Sequence, residues 1–205
     1  MRILLKIILL TAIIWLFAFA SPKNIKIQKN ILDTYILDTV KSKLHWKCAH
    51  HGYLKFKEGI MLFEKDELIQ ANFNVDMASI INTDINNKLL QGTLQNVLMS
   101  DVFFDVEKYP IARFESDLIR KIDENSYDIV GDFIIFDTGI CTEFEGTIRL
   151  KNDSVYFNTK TITLDRIDWG IYYGSEKNLY PREEEEGFSV TDTIFLDAHI
   201  VAFKK

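Results

Sequence analysis

Apolar and polar residues alternate with a period of two along most of this chain. The segment ANFNVDM at 71–77 is the clearest case: Ala71, Phe73, Val75 and Met77 share one face, and Asn72, Asn74 and Asp76 the other. That period predicts a strand with one buried side. Leu44, Trp46 and Cys48 share a face, opposite His45 and Lys47. Tyr127, Ile129, Phe133 and Ile135 do the same around Gly131, and Thr142, Phe144, Gly146, Ile148 and Leu150 form another inward set. Residues 155–164 are rich in Thr and β-branched residues, as strands prefer. Residues 188–203 read as one long last strand or two. One stretch has a different period. Leu90, Leu94, Val97 and Leu98 recur at helical spacing, with Asn86 or Asn87 as the cap and Gly92 weakening the interior. The elements predict an all-β fold, a closed antiparallel β-barrel of about eight strands with one short helix. Closure removes the exposed edges that an open sheet would present.

The first 20 residues do not fit this pattern. Arg2 and Lys6 precede an apolar run that ends in Ala18-Phe19-Ala20, the form of a secretory signal peptide cleaved after Ala20. The alternative is an uncleaved membrane anchor over residues 3–19, although a span needs about 20 apolar residues and Lys6 interrupts the run. Residues 21–34 read as an N-terminal tether or a short first strand, and residues 35–205 as the barrel. Export predicts a periplasmic or secreted protein. Losing Arg2 and Lys6, with no acid lost beside them, takes the net charge from −6 to −8. An acidic chain without a Lys/Arg cluster does not favour nucleic acid. The acidic run at 182–186 reads as a solvated loop. Two cysteines, Cys48 and Cys141, leave two readings open. In an oxidising compartment they form a disulfide, worth roughly 4–5 kcal/mol for so long a loop. Otherwise they pack as small hydrophobes. In either case Cys48 is expected to face inward and Cys141 to lie in a turn.

Chemistry enters through one string. Residues 100–110 read SDVFFDVEKYP, between the helical segment and the strand-like run at 111–119. This string resembles the signature of the YceI-like family. Other motifs follow in the family's order. They are YILD at 35–38 with Ser42, Leu44, Trp46 and Gly52; KEG at 57–59; FNVDMASI at 73–80; Phe114 and Ser116; Tyr127, Gly131 and Asp132; DRIDWGI at 165–171; and YGS at 173–175. The resemblance covers residues 35 to about 202. It departs in two places. Val97 stands where members often carry a His, and the turn at 137–141 lacks the family's Gly-x-Thr-Lys form.

The resemblance implies a lipocalin-like barrel that binds a polyisoprenoid lipid, of quinone or polyprenyl type, for storage, transport or protection. It implies no cofactor beyond the bound lipid and no catalytic role. Transient membrane contact fits such a role, and a dimer is left open. An eight-stranded barrel is wide enough for side chains or one small ligand. An isoprenoid tail needs only apolar walls, each buried CH₂ giving about 0.8 kcal/mol. Fifteen Phe residues can supply such walls, although composition alone fits a solid core as well. The wall predicted under the resemblance is Trp46, Phe56, Phe73, Val75, Phe103, Phe104, Phe114, Phe133 and Trp169. If Phe103 and Phe104 lie on a strand, only one of them faces the lumen. Two rivals remain: an enzyme acting on a lipid in the same cavity, and a secreted structural or stress protein with a filled barrel. No P-loop, HExxH or GxSxG is present. His50 and His51 are adjacent in a turn, and a metal site would need them to converge with His45 or His199. Asp105, Glu107 and Lys108 read as turn-capping and surface residues.

Overall fold

The computed structural model describes residues 32–179, 181 and 189–205. The proposed leader and the acidic run at 182–186 lie outside the described residues, as does all of the proposed tether before Leu32. The elements run β1 (Leu32–Leu37), β2 (Lys43–Lys47), β3 (His51–Glu64), β4 (Glu67–Asn82), α1 (Lys88–Met99), β5 (Ile111–Lys121), β6 (Ser126–Ile135) and β7 (Thr138–Lys151). They continue with β8 (Ser154–Thr159), β9 (Ile162–Asp165), a 3-10 turn (Arg166–Trp169) and β10 (Thr193–Lys204). All pairings are antiparallel.

Among the described residues, ten strands fill eight positions in a closed ring. The order β2-β3-β4-β5-β6-β7-β8-β10 closes because β10 pairs with both β8 and β2. β1 and β2 share one position, since each lies between β3 and β10. β8 and β9 share another, along successive parts of β10. Strand one therefore starts at Leu32, inside the segment read as tether. Its break before β2 is bridged by Ser42, whose buried hydroxyl donates to the Val201 carbonyl and accepts from the Val201 amide. Asp38 stabilises the same break by accepting from the amides of Val40 and Lys41.

Tight turns set the register. Lys65-Asp66 and Phe136-Asp137 each link two strands with both residues at positive φ, the two-residue hairpin form whose twist matches the strands. The turn expected at 137–141 is thus confined to Phe136-Asp137. Cys141 is not in a turn; it lies in β7 opposite Asp132 and is exposed. Cys48 is half-buried, and both cysteines are free. The alternation from Ala71 to Met77 is followed residue by residue in burial. Leu150 is an exception and is exposed, because it sits at the far end of β7 beside the turn into β8.

The interior is divided along the barrel axis. Toward the β3–β4, β5–β6 and β7–β8 turns it is filled by Met61, Phe63, Ala71, Ile129, Val155 and Ala202, all at most 1 % exposed. Toward the other end, where α1, the 100–110 segment and the 3-10 turn gather, it is hollow. The expected helix forms with Asn87 as its cap, accepting from the amides of Leu89 and Leu90. Its apolar stripe is only partly used: Leu98 is buried, while Leu90 is exposed.

Candidate functional site

The hollow half is one apolar cavity. Its volume is about 120 Å³, and it opens to solvent on one side. That is below the ~300–1,000 Å³ of typical small-molecule sites, so a long ligand has to extend through the open side or displace wall side chains. Trp46, Phe56, Phe73, Val75, Phe103, Phe104, Phe114, Phe133 and Trp169 all line it. The alternation along β2 to β6 places the strand residues there, and the chain brings all nine together.

Phe103 and Phe104 do not lie on a strand, so both can face the cavity. After α1 the chain folds back on itself. The Phe104 amide donates to the Leu98 carbonyl, and the Val106 amide to the Met99 carbonyl. Asp105 takes a left-handed φ of 42°, and its amide donates to the Ser100 carbonyl. This turn sets the two rings edge to face, with centroids 4.8 Å apart. Tyr109 then packs on Phe136, and the Pro110 carbonyl accepts from the Met77 amide, which ties the segment to β4.

Further along, the wall is a belt of phenylalanines. Phe73 contacts Phe56, Phe114 and Phe157 at centroid distances of 5.8, 6.3 and 6.5 Å. Phe114 adds Phe133 at 4.9 Å and Phe144 at 5.4 Å. Glycines let these rings lie against the sheet. A Cβ on Gly59 would come within 2.5 Å of Phe73, one on Gly131 within 2.7 Å of Phe114, and one on Gly146 within 2.3 Å of Phe157. Each ring occupies the space of a missing side chain, which keeps it out of the cavity.

The DRIDWG string builds one corner of the site. Asp165 caps the 3-10 turn by accepting from the Ile167 amide, and Gly170 ends the turn at a φ of 76°. That amide, together with Lys177, holds the Asp165 carboxyl below the usual carboxylate range against the opposing effect of burial. Arg166 is fully buried on the cavity wall. Its guanidinium donates to the carbonyls of Thr191, Ile171 and Val190 and pairs with Asp192 at 3.2 Å. It also lies 5.5 Å from the centre of the Phe103 ring. Trp169 donates its indole N–H to the Thr138 carbonyl at 3.0 Å.

A polar cluster forms at the start of α1, outside the wall. Asp84 pairs with His50 at 3.1 Å and lies 3.6 Å from His51. Buried Asn82 also donates to Asp84. Burial pushes the Asp84 carboxyl up, but the hydrogen bonds from Asn82 and His50 outweigh it and hold the group low. His45 does not join this cluster. It stacks edge to face on His199 at 5.4 Å, and burial followed by the charge of His199 lowers its pKa. Among the described residues no set of three His, Cys, Asp or Glu side chains is arranged to hold a metal.

Several wall residues were missing from the predicted set. Met77 was legible from its alternation with Phe73 and Val75. Leu98, Ile171, Ala198 and Arg166 were not, because they reach the cavity from a helix end, a loop, the last strand and a turn.

A family model for the YceI-like domain matches residues 35–202. A UPF0312 protein of Pseudomonas putida (strain W619) is 30 % identical over 139 residues, 62 % of this chain and 69 % of that protein. Among solved structures, Burkholderia cenocepacia BcnA superposes with a TM-score of 0.58 at 19 % identity, covering 80 % of this chain and 98 % of BcnA. A polyisoprenoid binding domain from Saccharophagus degradans, implicated in plant cell wall breakdown, has a TM-score of 0.57 at 14 % identity, covering 83 % and 98 %.

Proposed function

The chain belongs to the YceI-like family, and on that footing we propose that its hollow half holds the tail of a polyisoprenoid lipid, of quinone or polyprenyl type. The chemistry of the wall carries the reading. Among the described residues its only charged side chains are Arg113 and Arg166, and both are paired with carboxylates. Among the described residues no carboxylate or imidazole lines it. A saturated or prenyl chain needs neither. Its affinity comes from apolar burial at about 0.8 kcal/mol per CH₂. The rival reading of a filled barrel fits only the half around Phe63 and Met61. On this reading the protein stores, carries or protects the lipid.

Residues 1–20 support export, and we place the working protein in the periplasm or outside the cell. A mature chain beginning at Ser21 is expected. A chain that keeps Met1 and pellets with membranes favours the anchor. Mass spectrometry of organic extracts from the purified protein tests the lipid itself. The wild type is expected to carry a long isoprenoid, and Trp46→Asp to lose it while keeping β-sheet circular dichroism, since an unpaired charge in a lipid-filled cavity is heavily penalised. A wild type free of isoprenoid refutes the proposal.

A further inference from the structure

The outer wall of the barrel has two unlike sides. On β5, β6 and β7 it is charged: Arg120 is opposed to Asp128, Asp128 to Glu145, and Glu115 to Asp132. The side around β1 is apolar. One row crosses five strands, with each residue directly opposed to the next: Asn72 on β4, Ile60 on β3, Ile36 on β1, Phe203 on β10 and Ser154 on β8. Its three central side chains are 45, 40 and 39 % exposed, although all lie within paired strands. Leu32 and Tyr156 extend the same face and are as exposed. Single exposed apolar residues are ordinary, but a contiguous apolar row marks a surface that meets something. The cations beside it are already matched. Lys41 lies 4.8 Å from the centre of the Phe203 ring and pairs with Asp38, and Lys204 pairs with Asp33 at 2.8 Å.

We propose that this face is the contact between two copies of the chain, an isologous dimer with its twofold axis near Ile36. Charge favours a second copy as the occupant. The chain carries a net charge of −6, so two copies repel one another through acidic faces. The row brings no charge of its own. Its ends, Asn72 and Ser154, both donate and accept hydrogen bonds, so the row complements itself. An apolar centre inside a polar rim is the usual form of a protein interface. The inward-pointing neighbours of the row are Met61, Tyr35 and Ala202, which belong to the filled half of the barrel. The contact therefore backs on packed interior and leaves the hollow end of each copy free. The inference is independent of what the cavity holds.

Sedimentation velocity of the full chain over a range of concentrations tests the contact. Wild type is expected to form a dimer whose share falls on dilution. Ile36→Lys puts a charge at the centre of the face and is expected to weaken the dimer by roughly 30-fold or more, the effect of losing a hot-spot residue. Ile60→Lys, at the directly opposed position, is expected to do the same, so a folding fault in one variant does not decide the outcome. Leu118→Lys makes the same change at a leucine 63 % exposed on the charged side, and is expected to leave the association as it is. A wild type that stays monomeric, a dimer indifferent to both isoleucine variants, or one that Leu118→Lys weakens equally overturns the inference. So does a monomer that floats with phosphatidylcholine vesicles only while Ile36 is in place, which assigns the face to a membrane instead.

Discussion

Phe63 and Phe73 separate a half-hollow barrel from a solid one. Both are large, apolar and buried, at 1 % and 4 % exposure. Phe63 lies in the filled half, edge to face with Tyr35 at 5.1 Å, in the same packed layer as Met61 and Leu68. Phe73 has rings on several sides and the cavity on the other. Truncating a core Phe to Ala typically costs ~3–5 kcal/mol, including about 24 cal/mol per Å³ of void created. At Phe63 the void is closed and every lost contact counts, so Phe63→Ala belongs at the top of that range, about 4–5 kcal/mol. At Phe73 the void joins an existing one, and the cavity side has no packing to lose, so about 2–3 kcal/mol is expected. Urea unfolding of the lipid-free barrel by circular dichroism gives both numbers, provided the m-value is unchanged. A Phe73→Ala cost equal to or above that of Phe63→Ala refutes the division into filled and hollow halves.

Other outcomes follow from single contacts. Gly146→Ala forces a Cβ to within 2.3 Å of the Phe157 ring and lowers stability by about 1–3 kcal/mol, while Gly92→Ala meets nothing within 4 Å and raises it by roughly 0.5–1 kcal/mol; thermal melts read both. Arg166→Met leaves Asp192 and three carbonyls without their buried partner and costs about 3–5 kcal/mol by urea unfolding. The Asp165 carboxyl is held low in the folded state by the Ile167 amide and by Lys177, so its stabilising contribution is complete above its unfolded pKa near 3.9 and is lost as pH falls through the lower folded value. Asp165→Asn is therefore less stable at neutral pH but shows a shallower acid dependence below about pH 4, read by urea midpoints across that range.

The strands were legible because their signal is local. One buried face forces alternation, and the burial of residues 71–77 follows it position by position. Closure into eight positions was legible only as a class. The sharing of one position by β1 and β2 depends on Ser42 bonding to Val201, and no local pattern encodes a contact across that separation. The same limit explains Phe103 and Phe104. Read as a strand, their adjacency allowed only one inward ring, but the left-handed Asp105 turns the chain back and directs both to the wall. Cys141 was misplaced because the hairpin turn needs only Phe136-Asp137 and uses no glycine, so the familiar turn signal lay two residues late, at Gly139.

The motifs that carry the family resemblance supply both the apolar wall and a polar frame, and the polar residues do scaffold work. Ser100 donates its hydroxyl to the Val97 carbonyl, and its own carbonyl receives the Asp105 amide. Asp105 in turn receives the amides of Lys108 and Tyr109. Asp165 caps a turn, and Arg166 is committed to carbonyls and a carboxylate. These polar residues hold the loops of the hollow end to one another and offer a lipid little beyond the shape they enforce. A polar frame of this kind specifies that a cavity exists and where it lies. It does not specify what fills it. If the cavity holds the proposed lipid, discrimination falls to the wall itself, whose volume is set by phenylalanine rings, three of them seated on Gly59, Gly131 and Gly146. Chains that keep these polar loop contacts but differ along the apolar wall are then expected to keep the barrel and change what it holds.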